Sequence, residues 1–168
     1  MKLLLVRHGI AEDQEEFAKT KQDDTLRPLT KEGRWKMERV SKGLRRAVPA
    51  VDVLAASPLV RAAQTAKIIA ARYGDLSVTT TPSLEPNASF DSFLSWLKRQ
   101  RGAKTVAAVG HEPHLGGLAT WLLTGSEVSK ISFRKGGACL LEFESAPSAG
   151  GAVLLWALTP ALLRALAT

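Results

Sequence analysis

Leu3-Leu4-Leu5-Val6-Arg7-His8-Gly9 decides how the rest of the chain is read. A short apolar run rich in Leu that stops at Arg-His-Gly predicts a buried strand delivering a guanidinium and an imidazole to a glycine-loosened turn. In open α/β sheets ligands collect at the carboxyl ends of strands, because the strands root the variable loops that leave them. The plainer alternative is that Arg7 and His8 simply lead the chain out of the core into solvent. What the other strand ends carry decides between the two.

Beyond the first strand, residues 10–24 are polar and acidic at Glu12, Asp13, Glu15, Glu16, Asp23 and Asp24, and read as a loop with room for a helical turn. Thr30 is placed to cap a helix in which Met37, Val40, Leu44 and Val48 recur at helical spacing, and which ends before Pro49. Residues 52–56 form a second apolar strand. Ser57-Pro58 follows at once and predicts an N-cap and a first helical residue, for a helix that runs to about Tyr73 and stops at Gly74. Arg61 then falls in the first turn, where free amide N–H groups and a partial positive charge already favour an anion.

A third strand over 77–81 leads into a turn-rich loop that contains Glu85. Ser89 caps a helix marked by Phe90, Phe93, Leu94 and Leu97, which Gly102 ends. The fourth strand, 105–109, stops at Gly110-His111-Glu112-Pro113, and a helix with Leu115, Leu118, Ala119 and Leu122 on one face runs on to Gly125. Strands over 138–143 and 152–158 read as an antiparallel pair at a sheet edge, and Thr159-Pro160 starts a short terminal helix. The alternation of strand and helix implies right-handed crossovers. The expected fold is α/β: a three-layer α/β/α sandwich whose central sheet is mostly parallel with an antiparallel edge. At 168 residues the chain is expected to be one domain, spanning 1–168.

Composition narrows the function classes. The longest apolar runs, such as 152–158, fall far short of the roughly 20 residues a bilayer span requires. No signal-peptide pattern precedes the first strand, so no membrane association and a cytoplasmic location are expected. The single cysteine, Cys139, lies in an apolar run and suits a small core side chain better than a nucleophile. The net charge of +7 favours an anionic partner without naming it. Much of the excess lies between Arg27 and Arg46, where eight cations face only Glu32 and Glu38. A solvated helix face explains that stretch most simply; a docking surface for an acidic protein or a nucleic acid is the alternative. Only Trp35 interrupts the basic run, which argues against stacking on nucleic-acid bases.

Arg7, His8, Arg61 and His111 each stand at a strand's carboxyl end or in the first turn of the next helix. If those strands are neighbours, two guanidiniums and two imidazoles meet with no carboxylate among them, which makes a pocket for a dianion. Guanidiniums match phosphate oxygens bidentately and neutralise charge that spreads over them during phosphoryl transfer. Histidine can be an unprotonated nucleophile near neutral pH. His111 and His114 are spaced i, i+3, but the three histidines have no Cys or carboxylate cluster to complete a metal shell, so no metal and no cofactor are expected.

Three signatures in order, Arg7-His8-Gly9, Ser57-Pro58-Leu59-Val60-Arg61 with Ala62-Ala63-Gln64-Thr65-Ala66, and Gly110-His111-Glu112-Pro113, resemble those of the histidine phosphatase superfamily. Arg27-Pro28-Leu29-Thr30 followed by Gly33, the compact length and the 156–160 ending are similar to its small SixA-type branch, the phosphohistidine phosphatases. The resemblance covers nearly the whole chain. It implies a phosphoglycerate mutase-like fold and a mechanism without metal, in which His8 attacks phosphorus through one ring nitrogen while a backbone carbonyl holds the other. Arg7, Arg61 and His111 would clamp the phosphoryl oxygens, with Arg27 and Gly9 as further contacts. Larger members protonate an alcohol leaving group with a glutamate, and Glu85 sits in about that place. In the SixA-type loop that acid is not a dependable feature, so both a catalytic and a loop-structural role stay open.

The expected partner is a phosphoprotein carrying phosphohistidine, acted on by a monomer. A small phosphate ester is the alternative substrate, and a non-catalytic, basic anion-binding module is the alternative of another class.

Overall fold

The structure, a computed structural model, describes residues 1–167. Six strands form one sheet in the order β3-β2-β4-β1-β5-β6. β1 (Lys2–Arg7), β2 (Val53–Ala56), β3 (Val78–Thr80) and β4 (Thr105–Gly110) run parallel. β5 (Ala138–Phe143) pairs antiparallel with β1, and β6 (Ala152–Leu158) antiparallel with β5, which makes the expected antiparallel edge.

Uninterrupted apolar runs suit these central strands because both faces of the sheet are covered. Along β1, Leu3 and Leu5 point into one core with Phe93 and Leu97 of α4 (Phe90–Lys98) and with Leu115 and Leu118 of α5 (His114–Thr124). Leu4 and Val6 point into the other. That second core holds Met37, Val40 and Leu44 of α2 (Lys31–Ala47), Ala62, Ala66 and Ile69 of α3 (Val60–Ala70), and Leu163 of α6 (Pro160–Ala165). The molecule is therefore a three-layer α/β/α sandwich. Cys139 is buried in the first core, and burial pushes its thiol up to about 12, which removes it as a nucleophile. No helix among the described residues is long and apolar enough to cross a membrane.

The helix starts follow from capping, with one correction. Thr30 accepts from the Gly33 amide, Ser89 from that of Ser92 and Thr159 from that of Leu162. Ser57-Pro58 does not start α3. The chain bends there, with the Ser57 hydroxyl accepting from the Leu59 amide at 3.3 Å, and the helix begins at Val60 with Leu59 as its cap residue. Ser57 is still held by the sheet, its amide donating to Val109 O at 3.0 Å, so two more residues are needed to turn the chain onto the helix axis. At the far end the expected stop holds: a 3-10 turn, Ala71–Tyr73, finishes at Gly74 with φ of 71°.

Residues 10–24 contain the short helix α1 (Gln14–Ala18), capped by Asp13, and a 3-10 turn over Asp24–Leu26, capped by Asp23. The excursion is closed at its base. Ala11 bridges Leu29, the Glu12 amide donates to Pro28 O at 2.9 Å, and the Thr30 amide donates to Ile10 O at 3.0 Å. Gly33 of α2 lets the helix lie on that base, since a methyl group there would overlap the Ile10 carbonyl. We expect Gly33→Ala to destabilise the fold by about 1–3 kcal/mol, the usual cost of overpacking. Urea denaturation followed by tryptophan fluorescence reads this directly, and an unchanged midpoint would mean the helix base is free to shift.

Candidate active site

Register assembles the site. Arg7 of β1 lies opposite Gly110 of β4, so the next residues, His8 and His111, leave the sheet side by side. The His8 amide donates to Gly110 O at 3.1 Å, and the two imidazole centroids stand 5.1 Å apart. Both rings are buried, His8 6% and His111 2% exposed.

His8 Nδ1 lies 2.7 Å from Gly9 O. A carbonyl can only accept, so Nδ1 carries the proton and the ring's lone pair resides on Nε2. Gly9 is held in turn: its amide donates to Thr65 Oγ1 at 3.1 Å, while the Thr65 hydroxyl donates to Arg61 O at 2.8 Å. Thr65 thus couples the turn that carries His8 to the helical turn that carries Arg61. A side chain at Gly9 would run into Met37, so glycine is what allows α2 to approach so closely.

The two guanidiniums are anchored through backbone carbonyls. Arg7 Nη1 donates to Phe133 O at 2.6 Å, and the amide of the same Phe133 donates to Glu112 Oε1 at 3.2 Å, so one residue is clamped from both sides. Burial raises the Glu112 carboxyl pKa, opposed by its bond to the Phe133 amide and by Arg7. Arg61 Nη1 donates to Asp24 O at 2.9 Å, and its Nη2 stands 3.2 Å from Asp24 Oδ2. The expected absence of a carboxylate is therefore corrected. The closed acidic excursion places Asp24 on Arg61, and Arg27 Nε holds the other Asp24 oxygen at 2.7 Å. Hydrogen bonding to Arg27 keeps the Asp24 carboxyl below its usual range.

Arg27 stands close enough to Arg61 to act on it electrostatically, but its Nε is committed to Asp24 and its Nη1 to Glu12 O. Glu85 ends the 3-10 turn Pro82–Leu84, half-buried. Among the described residues no hydrogen bond or ion pair joins its carboxylate to the four gathered groups. His114 packs against Phe90 at 5.4 Å between centroids, and among the described residues no three His, Cys, Asp or Glu side chains gather to hold a metal.

Both ring nitrogens of His114 are buried without a hydrogen-bond partner, and so, at the site itself, are Arg7 Nε, Arg61 Nε and both ring nitrogens of His111. Native interiors satisfy such groups, so the convergence of those at the site around His8 calls for a ligand rich in acceptor oxygens. The imidazoles themselves resist protonation. Burial first, with the nearby Arg61 and Arg7 charges adding to it, depresses His8 to about 4 and His111 to about 3. Asp24, Thr65, Glu112 and Phe133 complete this site; Thr65 and Glu112 lie within the signature stretches but were given no role there, and Asp24 and Phe133 were not singled out for the site.

A family model described as histidine phosphatase superfamily, branch 1, matches residues 3–86. An uncharacterized protein of Picosynechococcus sp. is 34% identical over 139 residues, which span 82% of each chain. The chain is similar in structure to the protein histidine phosphatase SixA complexed with tungstate, with a TM-score of 0.82 at 23% identity over 97% of this chain and 99% of that one. A candidate phosphohistidine phosphatase SixA from Nakamurella multipartitia matches with a TM-score of 0.76 at 26% identity over 95% of each chain. An alpha-ribazole phosphatase from Shigella flexneri shares the fold, with a TM-score of 0.75 at 16% identity over 95% of this chain and 97% of that one.

Two outcomes are expected from the geometry. In ¹⁵N NMR titration of the ligand-free protein, neither His8 nor His111 protonates between pH 8 and about 5. Because their folded values lie below the ordinary 6.5 of the unfolded chain, their contribution to stability is full above that pH and is lost on acidification from about 6.5 towards 4. Titration of either ring near 6.5 would contradict this burial. Separately, Thr65→Val leaves the Gly9 amide unpaired and should lower stability by about 1–3 kcal/mol, read from thermal or urea unfolding.

Proposed function

Because this chain belongs to the histidine phosphatase superfamily, whose members are phosphatases, we propose that it hydrolyses a phosphoryl group through a phosphohistidine formed on His8, and that its substrate is phosphohistidine on a partner protein. The carrying observation is the ring of buried, unpartnered donors on Arg7, Arg61 and His111 around an imidazole whose tautomer leaves Nε2 free.

In the first step His8 Nε2 donates its lone pair to phosphorus in line, and the bond from phosphorus to the substrate's nitrogen or oxygen breaks with its electron pair leaving on that atom. Arg7 Nε, Arg61 Nε and His111 receive the equatorial oxygens, on which charge accumulates. Water then attacks phosphorus, the bond to Nε2 breaks, and inorganic phosphate departs. Burial is the first cause of the depressed His111 ring, and a bound dianion opposes both it and the neighbouring positive charges, which favours a second proton on His111 that can be donated to the phosphoryl group.

The choice of leaving group rests on the acids. Asp24 is held ionised by Arg27 and Arg61 and makes a poor proton donor, and the Glu112 carboxylate is engaged with the Phe133 amide. A departing imidazole takes its proton from solvent more readily than an alkoxide does, so it tolerates the lack of a positioned acid. Such an acid typically contributes about 10²–10⁴-fold. The similarity to SixA proteins supports the same reading.

The test compares phosphate release from a phosphohistidine-bearing protein with release from sugar, nucleotide and aryl phosphates, using wild type and His8→Ala. Strong preference for the phosphoprotein, lost in His8→Ala, is the expected result; preference for one small ester would overturn the substrate class, and binding without release would overturn the enzymatic reading. Glu85→Gln should leave phosphohistidine turnover within about threefold of wild type, and a loss of 10²-fold or more would make Glu85 the acid.

A further inference from the structure

A groove of about 410 Å³ is lined by α2, α6 and the loop that precedes β5, together with Arg7 and Gly9. Arg7 and Gly9, the two sequence neighbours of His8, are part of its lining, which sets the groove beside the residue that would carry the phosphoryl group. Its walls carry Lys36, Arg134, Lys135 and Arg164, and no acidic or aromatic side chain lines it. Lys36 is paired with Glu32 one helical turn away, whereas among the described residues no carboxylate pairs with Arg134, Lys135 or Arg164. Lys135 is near enough to His8 to act on it electrostatically, which ties this charge field to the chemistry. The floor is apolar, with Met37 buried and Pro160 half-buried.

Like charges held together on a low-dielectric floor repel one another, and an anionic occupant relieves that repulsion. The occupant must be longer than one phosphate, because four cations besides Arg7 line the groove. It must also be partly apolar to cover Met37 and Pro160. A nucleic acid would supply the charge, but no aromatic side chain is present on which bases could stack. A peptide segment that alternates carboxylates with aliphatic side chains satisfies both demands.

We propose that this groove docks an acidic segment of the phosphoprotein substrate next to its phosphorylated side chain, with Arg134, Lys135 and Arg164 as the specificity-determining cations. The proposal rests on the phosphoprotein reading above and adds the chemistry of the flanking sequence. The phosphoryl clamp supplies the reaction; the groove selects which phosphoryl groups arrive.

The experiment uses two fluorescein-labelled nonapeptides without phosphate, one with alternating Glu and Leu and one with Gln in place of each Glu, followed by anisotropy. The wild-type protein is expected to bind the Glu peptide roughly tenfold more tightly than the Gln peptide, as several partly exposed charge pairs allow. That preference should shrink as ionic strength rises from about 0.05 to about 0.5 M. The double variant Arg134→Glu with Arg164→Glu should lose the preference while turning over p-nitrophenyl phosphate at the wild-type rate, which shows that it is folded and leaves the clamp intact. Equal binding of the two peptides by wild type overturns the proposal, even if the phosphohistidine assay succeeds. A Glu preference that survives in the double variant overturns it too, as does tighter binding of a single-stranded oligonucleotide that the double variant loses. A Glu preference lost in the double variant, with no turnover of phosphohistidine, keeps the acidic-segment site and removes the substrate reading instead.

Discussion

The parallel pairing of β1 with β4 is the constraint on which the molecule depends. Arg7 opposite Gly110 aligns two strand ends, so the residues that follow, His8 and His111, share one level above the sheet. The same register decides the core, because Leu3 and Leu5 must face one helical layer while Leu4 and Val6 face the other. A slip of one residue would exchange those faces and carry the His8 ring away from His111. β2 is bound to the same edge through Ala56 opposite Val109 and the Ser57 amide on Val109 O, which brings α3 and Arg61 to the same rim. Packing and chemistry therefore share a single alignment.

Electrostatically the site is the least comfortable part of the structure. Two guanidiniums and two imidazoles are drawn from water, and Asp24 is the one carboxylate that pairs directly with any of them among the described residues. Backbone carbonyls do much of the holding, Phe133 O for Arg7 and Asp24 O for Arg61, and a carbonyl dipole orients a cation without neutralising it. Burial keeps both rings neutral when no anion is bound, and the positive potential that remains adds to it. Under the proposed function, that potential is a preorganised place for a doubly charged phosphoryl group, with the reorganisation completed during folding.

Local signals made most of this legible in the sequence. The strands of β1 and β4 are apolar runs with abrupt ends, and Thr30, Ser89 and Thr159 are capping residues whose hydroxyls cap as their type predicts. Arg7, His8, Arg61 and His111 could be singled out because each follows directly from such an element. The pairings that went unseen act across the fold. Asp24 lies 37 residues from Arg61, Gly9 lies 56 from Thr65, and Phe133 lies 126 from Arg7. No local pattern records such pairings, since a buried threonine or an acidic loop residue looks the same with or without its distant partner. The error at Ser57-Pro58 has the same origin. A capping dipeptide was read by its local preference, while the sheet's hold on the Ser57 amide delayed the helix to Val60.

The anchoring of Arg7 on Phe133 has a consequence for how the molecule comes into being. A ribosome delivers the strand that carries Arg7 first and the Phe133 peptide 126 residues later. In the interval the growing polypeptide holds its reactive imidazole but not the carbonyl that aims the neighbouring guanidinium, nor the β5 strand that closes the other side of β1. A chain that ends before Phe133 therefore lacks the carbonyl that orients Arg7. The geometry of the site is complete only once Phe133 and β5 have docked and the contacts of long sequence separation have formed.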